Sequence, residues 1–197
     1  MLAAILVTEN ERALDQPIDI EIELIRSVAS GDRKAFERLY RLYHPRIYKF
    51  SIRMLRDHFS AEEVASDTLF AVWGSASTFR EQSAVSSWIL GIAYRRSLKN
   101  YNKSARHTEN REPAFEMEAL AEPSPDVNPE THTNNAMEMS QLQTALSTLS
   151  SNHRAVMELI ALGYSVSEIA SIVGCPENTV KTRTFHARKQ LQAALQE

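Results

Sequence analysis

The chain has 197 residues, of which 43% are hydrophobic, and its formal net charge is −3. This length suits one large or two small domains, and the hydrophobic fraction is ordinary for a protein with a buried core. The longest apolar run, residues 1–7, is too short to cross a bilayer and has no basic segment before it, so we expect neither membrane insertion nor a signal peptide. The single cysteine, Cys175, excludes an internal disulfide, which fits a cytoplasmic location.

The net charge conceals two basic segments that are separated by acidic ones. Residues 1–23 carry six acids and one arginine, and residues 107–140 carry eight acids and one arginine. Residues 88–106 instead carry five basic side chains and no acid, and residues 178–189 carry four basic side chains and no acid. Each basic segment is a candidate for contact with nucleic acid, although the charge of the chain as a whole is negative.

The first half of the chain has the apolar spacing of amphipathic helices. Only five glycines and no alternating β-branched run predict an all-helical protein. Helical spacing extends from Ile22 to Arg56, with a turn at Gly31-Asp32. Pro45 is expected at a helix boundary, or as a kink in a helix that continues to Leu55.

Two further helices are predicted before residue 107. Ser60 has the properties of an amino-terminal cap, and Glu63 three residues later would complete a capping box. A polar loop is predicted over residues 78–87. The next helix is expected to begin near Trp88, to bury its apolar side and to expose its basic residues.

The composition then changes, which indicates a division into domains. Residues 110–135 contain four of the seven prolines, many acids and few large apolar residues, as is typical of an extended linker. Helical spacing resumes at Met139. The predicted organisation is an acidic amino-terminal extension (1–23), a helical domain (24–106), an acidic, proline-containing linker (107–139) and a second helical domain (140–197).

The end of the chain has the pattern of a helix-turn-helix. Ser165 or Ser167 is placed to cap a short helix, Gly174 supplies a turn residue that tolerates positive φ, and Pro176 presets the start of the next helix. This second helix places Val180, Thr184, Ala187 and Leu191 on one side. Its other side is polar and basic and is predicted to contact DNA through Thr179, Lys181, Thr182, Arg183, Phe185, His186 and Arg188. The alternative interpretation is an amphipathic hairpin that packs against a protein.

Several motifs resemble the extracytoplasmic-function (ECF) sigma factors of the sigma-70 family. In the second domain they are Glu168-Ile169-Ala170, Gly174-Cys175-Pro176, Thr179-Val180-Lys181-Thr182-Arg183 and Ala187-Arg188. In the first domain they are Gly31-Asp32 through Tyr48, Ala61-Glu62-Glu63-Val64 through Trp73, and Thr78-Phe79-Arg80 through Ala93. The resemblance implies a sigma-2 helical bundle followed by a sigma-4 helix-turn-helix that reads the −35 promoter element. Thr184 stands where the family usually has leucine, so either the recognition helix packs more loosely or Phe185 compensates.

The resemblance also implies which residues bind the polymerase. Glu63 and Asp67 are four positions apart and therefore share one helix face. In the family the matching helix docks on the β′ clamp helices of core RNA polymerase, which implies this role for Glu63, Ser66 and Asp67. Ser66 replaces a usual glutamine, and the alternative for the acidic residues is a solvated face without a partner.

The residues that the resemblance assigns to the −10 element follow this helix. In the family the corresponding loop and helix melt the element and hold its unpaired bases. The matching residues are Arg80, Gln82, Ser83, Ser86, Arg95, Arg96 and Lys99. Trp88 opens an apolar stripe and is interpreted as a core residue rather than a stacking platform. Arg95 and Lys99 stand where asparagine and aspartate are more usual, and both changes add positive charge.

The expected activity is therefore a sigma factor that binds core RNA polymerase and directs promoter-specific initiation. The implied partners are promoter DNA, the β′ clamp helices and β flap of the polymerase, and an anti-sigma protein. The alternative is a helix-turn-helix regulator that acts without polymerase, although no sensory-domain pattern precedes the motif. An enzyme is not expected, because no nucleophile motif, phosphate loop or metal-ligand spacing is present, and neither a catalytic residue nor a cofactor or metal is predicted.

Overall fold

The computed structural model describes residues 17–108, 145–146 and 148–195. The described residues form seven α-helices and one short 3₁₀ helix and contain no strand, which confirms the all-α class. The helices are α1 (Pro17–Ala29), α2 (Arg33–Leu55), α3 (His58–Ser75), α4 (Val85–Thr108), α5 (Ser151–Ala161), α6 (Val166–Val173) and α7 (Glu177–Ala194), with the 3₁₀ helix at Ala76–Thr78.

The predicted extension and linker fall mainly outside the described residues. Of the extension, residues 1–16 are not described, and helix α1 begins at Pro17 within the segment assigned to it. Of the linker, residues 109–139 are not described. The division of the chain into domains therefore stays a prediction at both of these boundaries.

Helix α2 is continuous through its proline. Pro45 lies inside the helix on its exposed side, so the expectation of a helix boundary there is wrong, and the helix continues to Leu55. Proline removes one backbone hydrogen bond, but Tyr43, Ile47 and Phe50 around it are fully buried. Their packing holds the helix together across the missing bond.

Two predicted helix starts are wrong by about one turn. Helix α3 is capped by Asp57 rather than Ser60: Oδ2 of Asp57 accepts a hydrogen bond from the Ser60 amide at 2.7 Å, and hydrogen bonds from Ser60 lower the pKa of this carboxyl. Helix α4 begins at Val85, which is buried, and not near Trp88. The loop therefore spans residues 79–84, and Ser86 lies in the first turn of α4.

Helices α1–α4 form an amino-terminal bundle and helices α5–α7 form a carboxy-terminal unit. The bundle buries large side chains from several helices, including Ile25, Leu39, Phe50, Leu69 and Ile89. In the carboxy-terminal unit, Leu159, Ile169 and Val180 are buried between the three helices, and Ala145 and Leu149 pack against the end of α7. Each unit therefore has the amphipathic helices that its sequence pattern predicts.

The two units are packed directly against each other. Helix α6 lies across α4, where an added Cβ on Gly91 would come within 3.2 Å of the Ile172 carbonyl oxygen, so only glycine permits this approach without a shift. Residues of both units belong to one hydrophobic cluster. The sequence did not indicate this interdomain contact.

Charged residues bridge the same interdomain contact. Nε of Arg53 on α2 donates to Oε2 of Glu158 on α5 at 2.6 Å, and Glu158 is 5% exposed. Arg154 is also buried, donates to the Arg53 carbonyl oxygen at 2.9 Å and lies over the Tyr101 ring. The buried Glu158 carboxylate is thus paired with a cation from the other unit, as a charge removed from water requires.

Candidate functional site

Helix α3 turns an acidic face to solvent. Glu62, Glu63, Ser66 and Asp67 are all exposed, and we call these four residues the acidic face. The opposite side of the helix is buried in the bundle through Ala61, Val64, Ala65, Thr68, Leu69 and Val72. The expectation that Glu63 and Asp67 share an exposed side is confirmed.

Two large apolar side chains flank the acidic face. Phe59 is 80% exposed and Phe70 is 77% exposed, and their spacing from Glu63 and Asp67 places all four on one stripe of the helix. Exposed phenylalanines on a surface of this kind are typical of protein interaction sites. Sequence reasoning missed both, although the position of Phe70 three residues after Asp67 was a usable signal.

A hydrogen bond and an ion pair connect the acidic face to neighbouring helices. Oε1 of Glu62 lies 2.9 Å from Nε2 of His44 on α2. Nη1 of Arg96 on α4 donates to Oδ2 of Asp67 at 2.8 Å. The second contact joins two residues that were predicted to bind different partners, one the polymerase and the other DNA.

The loop at residues 79–84 is held in place by helix α1. Glu81 has a positive φ of 57°, and its Oε1 accepts two hydrogen bonds from Arg26, at 2.6 Å from Nη2 and 2.9 Å from Nε. On this loop Arg80 and Gln82 are exposed, and Ser83 is half-buried. The predicted polar groups therefore project from a loop whose backbone is tied to the bundle.

Helix α4, which begins directly after this loop, carries the other residues predicted for the −10 element. Arg95 and Lys99 are exposed, whereas Arg96 is partly buried beside Asp67, and Ser86 is half-buried in the first turn. Trp88 is partly buried against the core and packs on Phe79 with ring centroids 5.3 Å apart. The interpretation of Trp88 as a core residue agrees with this position.

The helix-turn-helix has the predicted local geometry. Ser165 caps α6 and forms a capping box with Glu168, whose pKa is lowered by hydrogen bonds from Ser165. Gly174 ends α6 with φ 68°, in the left-handed region that favours glycine. Helix α7 then begins at Glu177, directly after Pro176.

Helix α7 buries one side and exposes the side that was predicted to meet DNA. Val180, Ala187 and Leu191 are buried. The predicted contacts are exposed except Thr179 and Arg183, which are half-buried; the exposed ones are Lys181, Thr182, Phe185, His186 and Arg188. Lys181 also lies 3.9 Å from Glu177 in an i, i+4 ion pair.

Thr184 is accommodated without help from Phe185. The Thr184 hydroxyl donates to the Val180 carbonyl oxygen at 2.8 Å, so its polar group is satisfied within the helix although the side chain is half-buried. Phe185 is 65% exposed. Of the two alternatives for this position, compensation by Phe185 is therefore wrong.

Arg183 faces the amino-terminal bundle instead of solvent. Its Nη1 lies 3.8 Å from the Cys175 sulfur, and its guanidinium lies beside the hydroxyl of Tyr94 on α4. Burial raises the pKa of Tyr94, and the positive charge of Arg183 opposes that rise. The interdomain contact thus covers one cation of the recognition helix.

The structure offers no site for a metal ion within the residues it describes, since no three His, Cys, Asp or Glu side chains are grouped there. Among the described helices, none has an apolar stretch long enough to pass through a bilayer.

Known proteins with similar sequences and structures are sigma factors. The chain is 28% identical to the ECF RNA polymerase sigma factor SigM of Mycobacterium tuberculosis, over 89% of this chain and 84% of that protein. It is 25% identical to the RNA polymerase sigma-H factor of Pseudomonas aeruginosa, over 88% and 93% of the two chains. The sigma factor RpoE of Bartonella quintana, solved with the anti-sigma factor NepR, superposes with a TM-score of 0.62 at 26% identity, over 83% of this chain and 98% of that one.

Two family models decide the assignment, because they match both halves of the chain in order. Sigma-70 region 2 matches residues 39–107 and sigma-70 region 4 matches residues 139–191, together more than half of the chain. The chain belongs to the ECF sigma factors. This sigma factor binds core RNA polymerase and directs promoter-specific transcription initiation. The alternative of a regulator that acts without polymerase is not favoured, because region 2 accompanies the helix-turn-helix.

Proposed function

We propose that three surfaces of this sigma factor each bind a different partner during initiation. The acidic face of α3, with Phe59 and Phe70, docks on the clamp helices of the polymerase. The loop at residues 79–84 and helix α4 hold the −10 element, and helix α7 reads the −35 element. The observation that supports this division best is that one chain exposes an acidic-apolar surface and two cationic surfaces on separate helices.

The polymerase surface has the composition of a protein interface. Its two phenylalanines lie at either end of the acidic face and are almost fully solvated in the free protein. Burial of exposed aromatic side chains is a major source of binding energy at protein interfaces, and the carboxylates around them select a basic partner. A basic helical hairpin is therefore the partner that this surface fits.

The −10 surface combines hydrogen-bonding groups with cations. Arg80, Gln82, Ser83 and Ser86 offer polar groups to unpaired bases, and the cations of α4 (Arg95, Arg96 and Lys99) offer sequence-independent contacts to the phosphates. The ion pairing of Glu81 with Arg26 supports this role, because it restricts the loop that presents these groups.

The −35 surface consists of the exposed side of α7. Lys181 and His186 are placed to reach base edges in the major groove, and Phe185 is placed to touch a thymine methyl group. Arg188 and Arg183 supply phosphate contacts, and Thr179 and Thr182 add hydroxyl groups at the start of the helix. Arg183 reaches DNA only when it leaves Tyr94.

Several further assignments belong to the same proposal. The sigma factor acts in the cytoplasm, has no catalytic activity of its own and also contacts the β flap. It is held inactive by an anti-sigma protein, a proposal supported by the likeness to RpoE in complex with NepR. Region 2 and region 4 activities reside in residues 24–106 and 140–197, respectively.

Transcription reconstituted with core polymerase and a genomic promoter library tests the proposal. We expect promoter-specific transcripts with the purified protein and none with core polymerase alone. Phe185→Ala should remove −35-dependent transcripts, whereas Gln190→Ala, an exposed change on the same helix, should not. Failure of the protein to associate with core polymerase at low salt would refute the proposal.

A further inference from the structure

Asp67 and Arg96 belong to different surfaces of the proposed function and yet form one ion pair. Nη1 of Arg96 lies 2.8 Å from Oδ2 of Asp67, in a contact between α4 and α3. We propose that Asp67 is a positioning residue that withholds Arg96 from DNA in the free sigma factor. When the polymerase brings a cationic group to Asp67, Arg96 is released to bind a DNA phosphate. This inference rests on the proposed function.

Arg96 differs from Arg95 and Lys99, the other two cations assigned to the −10 surface, in having a carboxylate partner. Arg95 and Lys99 are exposed, and within the described part of the chain no carboxylate lies at ion-pair distance from either. The pairing therefore masks one cation of the −10 surface and leaves its neighbours available. An effect of Asp67 on DNA binding should act through Arg96 alone.

The geometry permits an exchange of partners. The Arg96 side chain is 37% exposed and that of Asp67 is 57% exposed, so both are accessible to a partner. Asp67 uses only Oδ2 in the pair, and a docking arginine presents a two-pronged donor that matches both carboxylate oxygens. Docking also removes water from the acidic face, which favours the new pair over the partly solvated one.

The coupling must be reciprocal. If Asp67 bound by polymerase releases Arg96 for DNA, then loss of Arg96 must make Asp67 more available to polymerase by the same factor. Exposed ion pairs have small energies, which correspond to a change of about 1.5- to 5-fold in affinity. One additional phosphate contact on single-stranded DNA should also steepen the dependence of log affinity on log salt concentration by about 0.7.

The first experiment measures binding of the full chain, without polymerase, to a mixed-sequence single-stranded DNA oligonucleotide over a range of salt. Asp67→Asn should raise the affinity by about 1.5- to 5-fold and steepen the salt dependence by about 0.7. Both effects should vanish when Arg96→Ala is combined with it. Glu63→Gln removes the same charge from the same face without breaking an ion pair with Arg96, and it measures the general effect of one less negative charge.

The inference is overturned if the effect of Asp67→Asn on DNA binding does not depend on Arg96. An equal rise with Asp67→Asn and Glu63→Gln, or a rise that persists with Arg96→Ala, would show that no ion pair restrains Arg96. In a second arm, Arg96→Ala should raise the affinity for core polymerase by the factor seen with DNA, and an unchanged affinity would also overturn the inference.

Binding measured in the complete complex with polymerase separates a failure of the proposed function from a failure of the inference alone. If the complete complex with polymerase binds a −10 region single strand equally well with and without Arg96→Ala, Arg96 has no role on DNA, and its assignment fails together with the inference. If Arg96→Ala weakens that binding but Asp67→Asn does not strengthen binding by the free chain, the assignment stands and the inference alone is wrong.

Discussion

Ser165 and Glu168 close the start of α6 with reciprocal hydrogen bonds. The Ser165 amide donates to Oε2 of Glu168 at 2.8 Å, and the Glu168 amide donates to the Ser165 hydroxyl at 3.3 Å. The start of a helix leaves four backbone N–H groups without an intrahelical partner, and this capping box satisfies two of them. The position of α6 also fixes the turn that follows it and thereby the orientation of the recognition helix, α7.

We therefore expect Ser165→Ala to lower the free energy of unfolding by about 1 kcal/mol, the usual effect of losing a cap. Urea denaturation at neutral pH measures the change. Ser171→Ala, an exposed serine on the same helix, is the matched control and should have little effect. An equal loss in both variants would contradict the role of the cap.

The same cap predicts a pH dependence. Because hydrogen bonds from Ser165 lower the pKa of Glu168 in the folded state, its carboxylate stabilises the fold above the pKa of the unfolded chain. This contribution is lost as the pH falls through the pKa of the folded state. Unfolding measured from neutral to acidic pH should show a smaller loss of stability for Glu168→Gln than for the wild type, and equal losses would contradict the prediction.

Among single residues, those with one possible structural role were predictable. Gly174 was correctly placed because positive φ leaves few alternatives, whereas capping chemistry narrowed the cap of α6 only to Ser165 or Ser167, and the structure has Ser165. The cap of α3 was misplaced because Asp57 and Ser60 are both good capping residues, three positions apart, and local chemistry does not choose between them. The earlier start also places the solvent-exposed Phe59 on the helix, where it joins the acidic face.

At the scale of the element, α2 is a long helix that tolerates a proline on its exposed side. Pro45 leaves the Arg41 carbonyl without its usual helical donor and makes no buried packing contact. We expect Pro45→Ala to raise the free energy of unfolding by about 1–3 kcal/mol, as measured by urea denaturation. A loss of stability would mean that the buried residues on either side depend on a bend at the proline.

Phe70, at one end of the acidic face of α3, is expected to anchor the polymerase. Phe70→Ser should lower the affinity for core polymerase by about tenfold or more, because it removes an aromatic anchor, while it should change stability by no more than about 0.5 kcal/mol. Competition binding with labelled sigma factor and thermal unfolding measure the two effects. Leu42→Ser, an exposed apolar residue of α2, is the control, and an equal loss of polymerase affinity with it would refute the role of Phe70.

The start of α4 was misplaced because the local sequence pattern there resembles a loop. Ser86 and Ser87 have the composition of a loop, yet Ser87 is 3% exposed and lies within the first turn of the helix. Tertiary packing of Val85 and Ile89 decides the boundary, and the local preference of serine for turns is overridden.

At the scale of the molecule, the interdomain contact could not be predicted. Arg53 and Glu158 are 105 residues apart in the chain, and charged residues in an amphipathic pattern are normally interpreted as solvent-exposed. The bundle and the helix-turn-helix were predictable because each is built from local periodicity. Their packing depends on pairs of residues whose proximity only the fold creates.

We expect Glu158→Gln to loosen this contact. The change leaves Arg53 without its carboxylate partner at the interdomain contact, and it should lower the free energy of unfolding by about 2 kcal/mol. Small-angle X-ray scattering should also show a larger radius of gyration. Glu37→Gln, which breaks the exposed i, i+4 pair with Arg41, is the control and should cost less than about 0.5 kcal/mol without any change in size. An unchanged radius in Glu158→Gln would contradict the role of this pair.

The packing of α6 against α4 has a consequence for reach along a promoter. Elements centred on −10 and −35 are about 25 base pairs, or about 85 Å, apart on straight duplex DNA, whereas the described residues, packed around one hydrophobic cluster, measure only about 40 Å across. If one molecule binds both elements as proposed, Gly91 and Ile172 cannot remain in contact, and the two units have to separate on the promoter. Any free energy that favours the contact between the two units must then be overcome before both promoter elements are bound, and it lowers the apparent promoter affinity by the corresponding factor.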